Sequence, residues 1–212
     1  MLQRKLPGWR KVQQVLMVAT AVGVAIHEYA HKQMAEDHNL AVKEVCLFQF
    51  DNPKGYVVHA EPRTFSSSFA VSFAPFLLNT AILYTSLLGI SAYMIYTGST
   101  TIETLTGLEI AGIIIAGWIG IAAGFEAFPS SQDIDNCWAK GKQEVKNLSF
   151  RRRGLISFIV EKVYVVLAIP IILLLVLLNK TTAFGSKFVY LAVIAFWVFL
   201  SLTMLFPDTA LI

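Results

Sequence analysis

Long apolar stretches alternate with short polar ones along this chain: Val12 to about Glu36, Phe69 to Tyr96, Leu108 to Phe128, Val163 to Leu178 and Phe188 to Phe206. Each approaches the roughly 20 residues that a membrane-spanning helix needs, so the pattern predicts about five transmembrane helices. Between the first two, Leu40 to Ala60 mixes charges with Val, Phe and Tyr around Asp51-Asn52-Pro53-Lys54-Gly55. That is a turn signal between two β-like runs, Lys43 to Phe50 and Tyr56 to Ala60. The expected fold is an all-α polytopic membrane protein with a small β-hairpin between the first and second helices. A single integral membrane domain is expected, with a core over 12–138 and two accessory helices over 155–206.

Composition points the same way, since 56% of the 212 residues are hydrophobic and only 15% are charged. Soluble domains carry more charge than this. The basic start, Met1 to Lys11, leads into an apolar stretch that lacks a small-residue cleavage site, so it reads as a retained helix and not a signal peptide. A formal charge of +3 is too small and too dispersed to suggest nucleic acid as a partner. The two cysteines, Cys46 and Cys137, have no CxxC spacing, so they read as ordinary buried thiols.

The chemistry begins at the end of the first apolar run. Residues His27 to His31 read His-Glu-Tyr-Ala-His, directly after an uncharged stretch from Val12 to Ile26. Histidines at i and i+4 share one face of a helix and can hold one metal ion, while Glu28 beside them handles protons. The bland alternative is a pair of helix-end histidines facing water. Against it, His and Glu inside an apolar segment are costly unless they are paired or bind a metal. The pattern therefore points to a zinc hydrolase site.

Polar positions in the next two spans bear on that site. Pro75 cannot donate to the carbonyl of Val71, which frees that acceptor and invites a kink. One turn further, Asn79 either glues helices together or reaches the metal cleft to hold substrate backbone. The third span has Gly112, Ala116, Gly120 and Gly124 at i+4 spacing, and the first has Ala19 and Gly23 leading into His27 and His31. These rows are expected to face each other, bringing the end of the third helix to the histidines. Beyond it, Pro129-Ser-Ser-Gln-Asp133-Ile-Asp135 opens a further helix. Span parity returns Asp133 to the side of His31, so Asp133 is the candidate third ligand, with capping of its own helix as the alternative. Asp135 and then Glu126 are the fallbacks. An extended HExxHxxGxxH motif fails by one residue, because the histidine is His38, and His59 in the hairpin reads as a surface residue.

Together, HExxH in the first helix, Gly55-Tyr56-Val57, Ala74-Pro75 with Asn79, and Phe128-Pro129 with Asp133 resemble the site-2 protease type of intramembrane metalloprotease over Val12 to Trp138. Asn79 falls one residue later than that family's spacing, Ile134 stands where Gly follows the aspartate, and Phe128 replaces an Asn. The match is to a divergent branch, similar to small membrane zincin-like peptidases. The resemblance implies one zinc ion held by His27, His31 and Asp133, Glu28 as the base for a water that attacks a peptide carbonyl, and Asn79 as a substrate-binding residue. The implied partners are a transmembrane or membrane-associated protein substrate and the lipid bilayer. The β-like composition of the Lys43 to Ala60 hairpin adds the expectation that its edge pairs with an unwound substrate strand.

Basic residues give an orientation. Ten, including Lys32, Lys43, Lys54, Arg63 and six between Lys140 and Arg153, fall on the side of the motif, against Arg4, Lys5, Arg10, Lys11, Lys180 and Lys187 on the other. The excess favours an active site nearer the cytoplasm. Two other readings remain open at this point. A catalytically inactive scaffold with a structural zinc site is one, opposed by the complete His-Glu-His set. A zinc transporter is the other, and it would need polar residues across several spans.

Overall fold

The computed structural model describes residues 9–99, 102–147 and 185–206. Their order is α1 (Trp9–Asp37), β1 (Val42–Cys46), β2 (Tyr56–His59), α2 (Phe65–Thr97), a 3-10 turn at Ile102–Thr104, α3 (Gly107–Phe125), α4 (Ser131–Asn147) and α5 (Gly185–Leu205). The protein is mostly helical with one two-stranded antiparallel sheet between its first two helices. Among the described residues, α2 and α3 are long and apolar enough to cross a membrane. The expected fourth span, Val163 to Leu178, with Glu161 and Lys162 at its start, lies outside the described residues, as do Arg151 to Arg153.

The helix ends follow local side-chain chemistry. At the end of α1, Asn39 takes a left-handed conformation (φ 55°), with Asn39 N–H bonded to Glu36 O and Leu40 N–H to Ala35 O. This pair of bonds closes the helix and turns the chain into the hairpin. The Thr64 hydroxyl accepts from Ser67 N–H to open α2, and Gly98 (φ 65°) ends it. Thr106 and Glu109 form a reciprocal capping box at the start of α3.

The hairpin pairs Val42 with His59 and Cys46 with Tyr56, with an irregularity between Val42 and Glu44. Its first strand stops at Cys46 and does not continue to Phe50. Beyond it the chain turns, and Gln49 N–H rejoins the second arm at Lys54 O.

Helices α1, α2 and α3 pack on one another, α4 lies against the start of α2, and α5 packs on α2 and α3. A Cβ on Gly23 would overlap the carbonyl oxygen of Ala122, so α1 and α3 meet backbone to backbone. Trp118 donates its Nε1–H to Ala19 O at 2.8 Å, and His27 Nδ1 lies 2.6 Å from Glu126 O. The two rows therefore run in parallel: Ala19, Gly23 and His27 against Trp118, Ala122 and Glu126.

This corrects the expected seam. Gly120 and Gly124 do not face α1; they face Ser86 and Leu83 of α2, and Gly112 has open space. Residues two positions apart on a helix lie on nearly opposite faces, so the glycine row serves α2 while the row two positions away serves α1. A second correction concerns Lys187, which the span count put on the far side. Its Nζ lies 3.8 Å from Glu126 Oε2, at the histidine end of the bundle.

Where α2 meets α4, Phe65, Ile134 and Cys137 are buried, with Phe69, Phe73, Phe128 and Trp138 packed around them. Gly141 permits the close approach of Phe65 there. This aromatic wedge, with the Ser72 hydroxyl donating to Asp133 O at 3.1 Å, holds the start of α4 beside the first turns of α2.

Candidate metal centre

Two helices, α1 and α4, bring His27, His31 and Asp133 together, with candidate ligand atoms all within 4.8 Å of one another. The two histidines are one turn apart on α1, and their ring centroids are 4.9 Å apart. Both are buried, at 9% and 6% exposure.

Each ring is oriented by a backbone carbonyl from another helix. His27 Nδ1 bonds Glu126 O, and His31 Nδ1 bonds Val71 O at 2.9 Å. A carbonyl oxygen only accepts, so each Nδ1 carries a proton, and in its neutral form each ring presents an Nε2 lone pair. Both acceptors are ones that a regular helix leaves free. Glu126 caps the C-terminal end of α3, where carbonyls lack intrahelical donors, and Val71 is the residue whose i+4 donor Pro75 removes.

Asp133 is held by its own helix. Ser130 N–H donates to Asp133 Oδ2 at 2.9 Å, the Ser130 hydroxyl donates to it at 2.6 Å, and Asp133 N–H returns a bond to Ser130 Oγ at 3.2 Å. Capping and a place in the cluster are therefore not alternatives, because the cap sets the carboxylate's direction. The same Oδ2 lies 3.4 Å from His31 Nε2. Burial pushes the Asp133 carboxyl up, but His31 and the two bonds from Ser130 outweigh it and hold the group at about 2. An ionised carboxylate thus lies beside His31 Nε2, a pairing that either a proton on that nitrogen or a shared cation satisfies.

The donor set fits zinc: two imidazole nitrogens and a carboxylate oxygen are the ligand types that leave a fourth position open. The His31–Asp133 edge, at 3.4 Å, is close to the edge of about 3.3 Å of a tetrahedron with bonds near 2.0 Å, within a cluster whose ligand atoms lie inside 4.8 Å of one another. Ring nitrogens opposite the donors are bonded to carbonyls, which is how metal-binding histidines are usually oriented.

Glu28 is half-buried on α1, and the hairpin tip lies over it. A Cβ on Gly55 would come 2.7 Å from Glu28 Cγ and 3.0 Å from Leu47 O, so only glycine lets the hairpin sit this close. Asn79 is fully buried, and its Nδ2 donates to Gly23 O at 3.3 Å and Ala123 O at 3.0 Å. Its amide nitrogen thus ties α1 to α3, one turn from His27, while its Oδ1 is buried without a partner.

Of the fallback ligands, Asp135 is exposed on α4. Glu126 turns its carboxylate away from the cluster to Lys54 Nζ at 2.8 Å and Lys187. His59 bonds Ala60 O through Nδ1 at 2.8 Å and stands outside the cluster. Burial, and then Asp133, push the Cys137 thiol up to about 12, while Cys46 is half-buried near Phe48 O and Gln49.

Sequence reasoning missed the role of Glu126, whose carbonyl orients His27 while its carboxylate receives both lysines. Its signal was only its place at the end of the third apolar run. Compared with family models, curated proteins and solved structures, the chain matches none.

Proposed function

We propose that the protein is a zinc-dependent intramembrane endopeptidase, a divergent relative of the site-2 protease type, acting on membrane-embedded or membrane-proximal protein substrates. The observation that carries this reading is the pair of histidines whose Nδ1–H groups are bound to Glu126 O and Val71 O, leaving both Nε2 atoms to converge with Asp133. Zinc held by His27, His31 and Asp133 would supply a Lewis acid and lower the pKa of a water to about 7.

The protein's own groups do the rest. Glu28, next to His27 in sequence and pressed by Gly55, takes the proton of the attacking water and returns it to the leaving amine. The fixed imidazoles and the capped carboxylate require little rearrangement before reaction.

A multi-pass membrane location belongs to the same proposal. It is supported by α2 and α3, and by apolar side chains left exposed on their outer faces, such as Leu77 and Ile114. With Lys187 on the site's side, the excess of basic residues there grows, and we assign the site to the cytoplasmic side.

The test is metal content together with cleavage. Purified wild type should hold one zinc, and His27→Ala and Asp133→Ala should lose most of it. Glu28→Gln should keep the zinc and lose peptide hydrolysis. Full zinc in Asp133→Ala would remove that residue from the site, and undiminished function in Glu28→Gln would favour a scaffold with a structural metal.

A further inference from the structure

We infer that the polar cleft beside α4 binds an extended, uncharged polar segment of the substrate, the flank of a membrane span and not the apolar span itself. This rests on the protease reading and names what that site takes. The cleft has a volume of about 350 Å³ and opens between the hairpin exit at His59 and Glu61, the start of α2 at Ser72, and the flank of α4 at Asn136, Lys140 and Gln143.

Asp133 forms part of its wall. His27 and His31 are buried, whereas the Asp133 side chain is 21% exposed. The cleft is therefore a solvent approach to the ligand cluster that the structure provides without rearrangement.

Size and lining select the occupant. The volume is at the small end of ligand clefts, which span about 300 to 1,000 Å³, and suits a few extended residues. A helix about 10 Å across does not fit. Lys140 and Glu61 pair at 3.3 Å and the Asp133 carboxylate is engaged with His31, so the lining leaves no unpaired charge to attract a charged segment. What remains are side-chain amides of Asn136 and Gln143, and His59, whose Nε2 is left as an acceptor because Nδ1 donates to Ala60 O. Such groups match the N–H and C=O of an extended chain with small polar side chains.

The experiment uses the full chain in detergent, in a Glu28→Gln background so that peptide is bound without turnover. The probe is a fluorescein-labelled peptide with an apolar Leu/Ala helix and a ten-residue Ser/Asn/Gln tail, compared with the same peptide lacking the tail. Ala139→Trp, which fills the cleft from α4, should weaken binding of the tailed peptide at least tenfold, with zinc content kept. Gln143→Trp is the second variant, and Ile115→Trp, on the exposed face of α3, is the control and should bind as the parent does. Equal binding of both peptides by the parent, or unchanged binding in zinc-loaded Ala139→Trp and Gln143→Trp, would overturn the inference. Absence of zinc from wild type would instead overturn the protease reading, because binding is read without cleavage.

Discussion

His31 donates its Nδ1–H to the carbonyl of Val71, the acceptor that Pro75 leaves without a helical donor. A proline inside α2 thus does more than remove a helical hydrogen bond. It supplies, one helix away, the oxygen that fixes the tautomer and direction of a candidate metal ligand. Pro75→Ala restores an N–H that competes for that oxygen. Zinc affinity is expected to fall about 10- to 100-fold, the usual cost of losing such an orienting partner, with helix content unchanged. Chelator competition measures it, and wild-type affinity would show that the bond does not matter.

Gly55 bears on Glu28, the residue proposed to handle protons. Gly55→Ala puts a methyl group against Glu28 Cγ and the Leu47 carbonyl, so the hairpin or Glu28 must shift. Hydrolysis should drop at least tenfold, because misplacement of about 1 Å is enough for a large loss. Zinc stoichiometry should stay at the wild-type value, and a variant with full activity would refute the close fit.

Asn79 separates two roles by its readout. Asn79→Ala leaves the carbonyls of Gly23 and Ala123 without their amide donor, costing about 1–3 kcal/mol of stability. A lower melting temperature with an unchanged KM supports the tie between α1 and α3. A raised KM at unchanged stability would support the substrate-binding role that the sequence suggested.

The cysteines report on the wedge between α2 and α4. In the folded protein at pH 8, a maleimide should modify Cys46 well before Cys137, which is 2% exposed and whose thiol sits at about 12. Mass spectrometry of peptide fragments reads the order. Equal rates would mean that α4 does not pack against Phe65 as described.

Much of this site was legible in the sequence because its parts follow from local rules. The i, i+4 histidines, the carbonyl freed by Pro75 and the Ser130–Asp133 cap each need only a few neighbouring residues. What was not legible depends on which faces meet. The glycines of α3 announced a close approach without saying to which helix, and the row that meets α1 contains Trp118 and Glu126, which no small-residue rule selects. Asn79 shows the same limit, since a buried amide advertises a partner but not its identity. Lys54 and Lys187 find Glu126 only after the hairpin and α5 have docked.

Gly23 has a consequence for how the centre could be lost. The contacts of Ala19, Gly23 and His27 with Trp118, Ala122 and Glu126 share one register, so they slide together or not at all. A slip of one turn, about 5.4 Å, would drive Gly23 onto Trp118 or Glu126 and take the carbonyl from His27 in the same motion. At the centre of that seam the close approach depends on a residue without a side chain. Substitutions at the Gly23 seam, a full turn from the nearest imidazole, should therefore erase metal binding as thoroughly as removing a histidine.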